Sequence, residues 1–208
     1  MASLVIHMAI ASEINKKINR NYSKLIIGTI APDISKLINE SKTISHFFDS
    51  KEEHIPNLER FLNKYKNKLD DDFVMGYYIH LYTDYLWEKY FIEELNYRNI
   101  ITRLDGSSFI YDKETFVKYL YNDYTNVNIK LIDRYNLELD IFYNKVPRIE
   151  HIIEEIPMDK LSVVINNTAN IITNSKINKS YLFDIDNVIT FINLSCKLII
   201  SELEKNNK

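Results

Sequence analysis

Apolar residues recur at helical spacing over most of this 208-residue chain, and this pattern constrains its fold more than any other feature. On one face of the first such segment, residues 3–20, the positions i, i+4, i+7 and i+11 carry His7, Ala11, Ile14 and Ile18. Further helices are predicted over residues 56–68, 73–96, 113–143 (two helices), 147–157 and 186–204. Breaks are predicted at residues 28–33 and 104–108. Because strand signals are weak throughout, the sequence predicts an all-α fold, a single-domain helical bundle over residues 1–208.

The composition excludes several classes of protein. A hydrophobic fraction of 46% and a net charge of -3 exclude a disordered chain, and a single cysteine, Cys196, excludes a disulfide framework. The 26 basic residues are outnumbered by 29 acidic ones, which gives no support for binding nucleic acid through charge alone. Three scattered glycines build neither a phosphate-binding loop nor a dinucleotide fingerprint.

The N-terminal residues carry no targeting signal that we recognise. The longest apolar stretch, residues 4–11, is too short to span a bilayer. It contains His7 and has no basic residue before it, so we predict no signal peptide and a cytoplasmic location. The lone cysteine agrees with a reducing compartment.

The histidines are scarce and stand in uneven surroundings. The chain has five of them, His7, His46, His54, His80 and His151. His80 and Asp84 are four residues apart in a predicted helix, so an imidazole and a carboxylate share one face and are able to bind one cation. Gly76 lies one turn before His80, where a glycine is expected to serve close packing or access.

Each of these residues also has a simpler interpretation when taken alone. His7 fits a hydrogen-bonded core histidine, and His80 with Asp84 fits a helix-surface ion pair. Asp33, which follows Pro32, fits a helix cap or turn residue, and His46 fits a half-buried turn. Taken together, these histidines and aspartates would place buried carboxylates close to one another. A divalent cation resolves that repulsion, and mixed imidazole and carboxylate ligands suit zinc.

Four separated motifs in the first hundred residues resemble one known family. In chain order they are His7 in an N-terminal helix, Gly28-Thr29-Ile30-Ala31-Pro32-Asp33, Ser45-His46-Phe47, and Gly76-Tyr77-Tyr78-Ile79-His80-Leu81-Tyr82-Thr83-Asp84 with Trp87 behind it. They resemble the bacterial zinc-dependent phospholipases C, which share a fold with the fungal single-strand-specific zinc nucleases. The resemblance implies a helical bundle of that type, with the metal-site motifs in residues 1–100 and a helical remainder in residues 101–208.

The resemblance also implies a set of metal ligands. One zinc would be held by Asp33, His46, His80 and Asp84, and His7 would hold a second zinc with Asp84 bridging. The family binds a further zinc through a later histidine and a His-x-x-x-Glu pair. The only such pair here, His151 with Glu155, comes much later in the chain and fits a solvated helix face better than a ligand set. We therefore expect one or two zinc ions.

The resemblance implies a metal-dependent hydrolase of phosphoric esters, a phospholipase C-like phosphodiesterase that uses a zinc-activated water. Asp33 is the candidate catalytic residue for orienting or deprotonating that water. A phospholipid head group or another small phosphate ester is favoured over nucleic acid as substrate. Candidate substrate contacts are Phe47, Tyr82 and Trp87, although most of the aromatic residues fit a tyrosine-rich core, and His54 is expected at the surface.

Two other functions remain open from the residues alone. One is a non-catalytic helical binding or structural protein that keeps a residual metal site. The other is a nuclease-like phosphodiesterase, in which aromatic side chains stack on bases.

Overall fold

A computed structural model of the protein, which describes residues 1–144 and 146–206, shows a largely helical chain with one small antiparallel sheet. The α-helices are α1 (Leu4–Ile18), α2 (Tyr22–Ile30), α3 (Ile34–Leu37), α4 (Lys42–Ser45), α5 (Leu58–Tyr65), α6 (Asp72–Leu86), α7 (Glu93–Leu95), α8 (Lys113–Tyr135), α9 (Leu161–Asn174) and α10 (Ile185–Asn206). Short 3-10 turns occupy Ala31–Asp33, Lys66–Lys68, Asp140–Phe142 and Met158–Lys160, and a π-helical segment, Trp87–Ile92, joins α6 to α7. The sheet has the order β1 (Asn96–Tyr97), β2 (Ile100–Thr102), β3 (Ser108–Ile110).

Helix α1 lies at the centre of the fold. It packs against α2, α6, α8 and α10, and every residue from position 4 to position 12 is buried. A helix that is covered on all sides needs apolar residues all round, which explains the continuous apolar run of residues 4–11. Ser3 caps its N-terminus by accepting a hydrogen bond from the backbone N–H of Ile6.

Helices α2 and α6 cross at two glycines. A Cβ on Gly28 would lie 2.1 Å from the carbonyl oxygen of Phe73, and a Cβ on Gly76 would lie 2.0 Å from that of Leu25. Both distances are far inside van der Waals contact, so only glycine allows the two backbones to approach this closely. Thr29 donates a hydrogen bond across the crossing, from its Oγ1 to the Gly76 carbonyl at 3.3 Å. The close packing predicted for Gly76 is confirmed.

Several predicted elements differ from the structure. Gly28 does not break the chain but lies inside α2, which ends at Ile30 before the turn that contains Pro32. The predicted helix over residues 147–157 is wrong, because this segment forms irregular structure and turns. Residues 113–143 contain one long helix and a 3-10 turn instead of two helices. The prediction missed α9 and the three short strands entirely.

Other predictions are confirmed within a few residues. The predicted helix over residues 73–96 is present as α6, the π-helical segment and α7, which together reach Leu95. An acidic residue caps the N-terminus of this helix, because the Asp71 carboxylate accepts hydrogen bonds from the backbone N–H groups of Phe73 and Val74. The final helix extends from Ile185 to Asn206. Within the described ranges, no helix combines the length and the hydropathy that crossing a membrane requires.

A buried carboxylate on α8 anchors the connection between α9 and α10. Asp123 is fully buried, and its two oxygens accept hydrogen bonds from the backbone N–H groups of Tyr181 (2.9 Å), Leu182 (2.6 Å) and Phe183 (3.2 Å). The side chains of Leu182 and Phe183 are buried in the core. The carboxylate therefore satisfies three backbone donors that would otherwise lack a partner.

Asp123→Ala is expected to lower the free energy of unfolding by about 2–4 kcal/mol, because the buried donors lose a charged acceptor. Urea denaturation of both proteins measures the difference. Asp133→Ala on the same helix is the control, since this side chain is exposed and should contribute within about 0.5 kcal/mol. Equal midpoints for the two variants would contradict the anchoring role.

Candidate metal centre

The structure brings together the five side chains that the sequence selected as metal ligands. His7 lies in the middle of α1, Asp33 ends the 3-10 turn after α2, and His46 directly follows α4. His80 and Asp84 lie on α6. Four of the five residues have no exposed surface at all, whereas the side chain of Asp33 remains 18% exposed. The cluster therefore has its exposed edge at Asp33.

On one side of the cluster, three ligand atoms form a nearly regular triangle. His80 Nε2 lies 3.3 Å from His46 Nε2 and 3.2 Å from Asp84 Oδ2, and His46 Nε2 lies 3.7 Å from Asp84 Oδ2. Ligands of a tetrahedral zinc, with bonds of about 2.0–2.2 Å, lie about 3.3–3.6 Å from one another. The triangle thus has the dimensions of one face of a zinc coordination tetrahedron.

The remaining two ligands each contact a different member of this triangle. His7 Nε2 is 3.2 Å from the other Asp84 oxygen, Oδ1, and the His7 ring stacks on the His80 ring with a centroid distance of 3.9 Å. Asp33 Oδ1 is 3.7 Å from His46 Nε2. Two groups of atoms within 4.8 Å of one another result, one from His7, His80 and Asp84 and one from Asp33, His46 and His80. The two groups share His80, and each contains one aspartate.

Hydrogen bonds orient two of the histidine rings. His80 Nδ1 lies 2.7 Å from the Thr29 carbonyl, which only accepts, so Nδ1 donates there and Nε2 is the ring nitrogen that faces the cluster. The Ser45 hydroxyl forms a hydrogen bond with His46 Nδ1 at 2.9 Å, so His46 Nε2 is likewise the ring nitrogen that faces the cluster. The Nε2 atoms of the two rings face each other across 3.3 Å. Unprotonated, both would offer a lone pair to the same metal ion.

Burial disfavours a positive charge on two of the imidazoles. It lowers the pKa of His46 well below its ordinary value, with the Lys42 ammonium adding to the effect, and it also lowers the pKa of His7. For Asp84, burial alone would raise the pKa, but the neighbouring His7 and His80 outweigh it and hold this pKa well below the usual range. Neutral imidazoles and an ionised carboxylate are the forms that bind a metal.

Several buried atoms of the cluster have no other use in the fold. His7 Nδ1, His7 Nε2 and Asp84 Oδ2 have no hydrogen-bond partner. Buried polar atoms normally find a partner, so orphaned atoms in one place indicate a missing ligand. Imidazole nitrogens and carboxylate oxygens at these distances fit a divalent cation of the zinc type.

Lys42 is a charged member of the site that sequence reasoning missed. Its Nζ forms an ion pair with Asp33 Oδ1 and lies 3.2 Å from the Met1 sulfur. Burial by itself would raise the pKa of Asp33, but Lys42, with His80 and His46, lowers it below the ordinary range. The available signal was the spacing, because Lys42 precedes His46 by one helical turn.

The predicted substrate contacts do not form a common surface. Phe47 is 2% exposed and packs edge-on against Phe61, and Trp87 is fully buried, so neither side chain is placed to touch a substrate. Tyr82 does line a surface groove of about 470 Å³. His54 is exposed, as expected, and lines a second groove of about 510 Å³ together with Glu88.

His151 and Glu155 lie apart from the metal centre. His151 is exposed, and Glu155 forms an ion pair with Lys64 at 2.6 Å and accepts a hydrogen bond from the Tyr65 hydroxyl at 2.6 Å. In the part of the chain that the structure describes, neither residue belongs to a group of potential metal ligands. The candidate extra metal pair is therefore corrected to a surface histidine and a structural carboxylate that ties residues 154–155 to α5.

No protein-family model, curated protein or solved structure matches this chain. The class of protein is thus defined by the fold and the site themselves, a largely helical chain with a buried cluster of histidines and aspartates able to hold a metal ion.

Proposed function

We propose that this protein is a zinc-dependent hydrolase of phosphoric esters, related to the zinc-dependent phospholipases C that its motifs resemble. The observation that carries the proposal is the buried cluster of imidazole nitrogens and carboxylate oxygens, in which His80 belongs to two groups of potential ligands and its Nε2 lies 3.2 Å from Asp84 Oδ2. Such a buried set of electron pairs is costly to form unless a cation binds there. A bound divalent cation would polarise a phosphoryl oxygen and lower the pKa of a water molecule toward neutrality.

The residues at the exposed edge would position the reactants. Asp33 stays ionised because its pKa is lowered, so its carboxylate accepts a hydrogen bond from a water and orients it, but it is a weak proton acceptor. Lys42 adds a positive charge at the same edge, where a phosphate ester would approach. We propose a phospholipid head group or another small phosphate ester as the substrate, and a nuclease-like activity remains the less favoured option.

Hydrolysis of a chromogenic phosphodiester tests the proposal. The zinc-loaded protein is expected to release p-nitrophenol from bis(p-nitrophenyl) phosphate, and a chelator is expected to abolish the reaction. His80→Ala should lower kcat/KM at least about 100-fold, because it removes a ligand that both groups share. His151→Ala is the matched control, since it deletes an exposed histidine outside the cluster.

A non-catalytic protein with a structural metal is the second candidate. The observation that favours it is burial, because His7, His46, His80 and Asp84 have no exposed surface. A structural zinc site is closed, whereas a catalytic one keeps an open position. Zinc that co-purifies with the protein and is lost in the double variant His80→Ala/Asp84→Ala, without turnover of any phosphodiester, would establish this alternative. Absence of metal in both proteins, even after addition of zinc, would rule out both candidates.

A further inference from the structure

We infer that the Lys42 ammonium serves as the second cation of this site, so that the protein binds one divalent metal where its two ligand groups would otherwise hold two. The inference rests on the proposed metal site and concerns its stoichiometry. The resemblance alone leaves the number open at one or two ions.

The position of the ammonium is specific to one ligand group. Lys42 Nζ pairs with Asp33 Oδ1, and this is the oxygen that faces His46 Nε2. The other group has no such competitor, because His7 Nε2 and Asp84 Oδ2 lack hydrogen-bond partners. One group therefore already contains a positive charge, whereas in the other group Asp84 Oδ1 accepts a hydrogen bond from the neutral backbone N–H of Ala2.

The Lys42 backbone is fixed with respect to the site. Its carbonyl accepts the backbone N–H of His46 at 2.8 Å, and the preceding Ser41 caps α4 through the N–H of Thr43. The side chain is only 16% exposed, and its Nζ also contacts the Met1 sulfur. The backbone hydrogen bonds of α4 and the limited exposure of the side chain thus hold the ammonium beside Asp33. It can therefore act as a permanent counter-ion of this carboxylate.

Charge balance leads to the same result. The carboxylates Asp33 and Asp84 supply the negative charge of the cluster, and histidines that bind a metal do so as neutral imidazoles. One divalent metal together with the ammonium leaves a net charge of about +1, and a second metal would raise it to about +3. Uncompensated charge in a buried site is strongly unfavourable, so a second metal is opposed most while Lys42 is present. Removing the ammonium lowers the net charge with two metals to about +2 and also frees Asp33 to act as a ligand.

Because His80 is shared, a second metal would depend on Asp33 and His46, and Asp33 is paired with Lys42 in the wild type. His80 belongs to both ligand groups, but the lone pair of its Nε2 binds only one ion. With Asp33 neutralised by Lys42, the metal is best held by the group of His7, His80 and Asp84. The Lys42 ammonium supplies a positive charge beside this metal, as a second metal would. Unlike a second metal, it adds no coordination position.

Metal analysis after equilibrium dialysis against zinc tests this inference. The wild-type protein is expected to bind one zinc per chain, and Lys42→Met, which keeps the length of the side chain without its charge, is expected to bind two. Lys42→Glu should also bind two, because two metals and three carboxylates leave the net charge of about +1 that one metal and Lys42 leave in the wild type. Lys42→Arg, which keeps the cation, and Lys66→Met, which removes an exposed lysine elsewhere, should each bind one.

The ligand variants assign the two positions. In the wild-type background, His46→Ala is expected to retain the single zinc, and His7→Ala is expected to lose it. In the Lys42→Met background, His46→Ala should reduce the count from two to one. Circular dichroism spectra of all variants establish that they are folded.

Three other results of the metal analysis would overturn the inference, each for a different reason. Two zinc ions in the wild type would mean that the ammonium leaves Asp33 when metal arrives. A single zinc in the wild type, Lys42→Met and Lys42→Glu would mean that Lys42 does not control the stoichiometry. Zinc in neither the wild type nor any Lys42 variant would overturn the proposed metal site itself, and with it this inference.

Discussion

Zinc is expected to raise the free energy of unfolding of the metal-depleted protein by about 4 kcal/mol when its free concentration is about 1,000 times its Kd. For a chain of this length, that gain corresponds to a rise in Tm of about 8–16 °C. The physical reason is that the ligands come from α1, the turn after α2, the end of α4 and α6, and they meet only in the folded state. Both the catalytic and the structural candidate require this effect.

Thermal unfolding followed by circular dichroism, with zinc and with a chelator, measures the shift. The double variant His80→Ala/Asp84→Ala is the control, because it removes ligands from both groups and should unfold at the same temperature in both conditions. The comparison is best made at about pH 7.5, because protons compete less with the metal for the ligands there than at acidic pH. A wild-type Tm that is the same with zinc and with chelator would contradict the metal site.

Gly76→Ala is expected to lower the free energy of unfolding by about 3 kcal/mol or more. Helix propensity alone predicts the opposite sign, a gain of about 1 kcal/mol for alanine inside a helix. The clash decides the outcome, because the new Cβ would lie 2.0 Å from the backbone oxygen of Leu25, and backbone atoms cannot rotate away. Gly28→Ala meets the Phe73 carbonyl in the same way and should be similarly costly.

Urea denaturation provides the measurement for the glycine variants. Gly106→Ala is the contrasting case, because a Cβ at Gly106 meets nothing within 4 Å and only its φ of +82° disfavours alanine, at a cost of about 1–2 kcal/mol. Metal affinity should fall in Gly76→Ala as well, since the hydrogen bond from His80 to the Thr29 carbonyl crosses the same interface. A Gly76→Ala protein as stable as the wild type would show that the two helices can separate at no cost.

The sequence was sufficient to select the side chains that converge. The i, i+4 spacing of His80 and Asp84 implies a shared helix face, and their atoms are indeed 3.2 Å apart. His7, Asp33 and His46 were selected through the resemblance of their motifs to those of the zinc-dependent phospholipases C, because sequence spacing alone does not show which distant residues converge. Whether these residues bind zinc, and whether they act on phosphate esters, stay predictions.

The division of the cluster into two ligand groups was not predictable in the same way. It depends on side-chain directions that differ by a few ångströms, such as the orientation of the two Asp84 oxygens toward His7 and toward His80. Lys42 escaped notice because a long side chain reaches many partners, so its position in the sequence does not identify Asp33 as the one it selects.

The missed secondary structure has local physical causes. Helix α9 is rich in valine, isoleucine, threonine and asparagine, which have low helix propensity, and its burial at Leu161, Val164 and Ile165 overrides that preference. The strands of the sheet are two or three residues long, too short for alternation to be recognised. Residues 147–157 do not form a helix, because Tyr65 and Lys64 hold Glu154 and Glu155 in an irregular segment.

The backbone contact between α2 and α6 also affects how freely the protein can diversify. Because Gly28 and Gly76 let the two main chains touch, the distance from the Thr29 carbonyl to the His80 ring does not depend on the size of any neighbouring side chain. Tyr82 and Tyr85, on the outer face of α6, line the groove beyond this contact. They are free to vary without disturbing the imidazole, so sequence drift in related chains should concentrate on this aromatic surface and spare the glycine crossing.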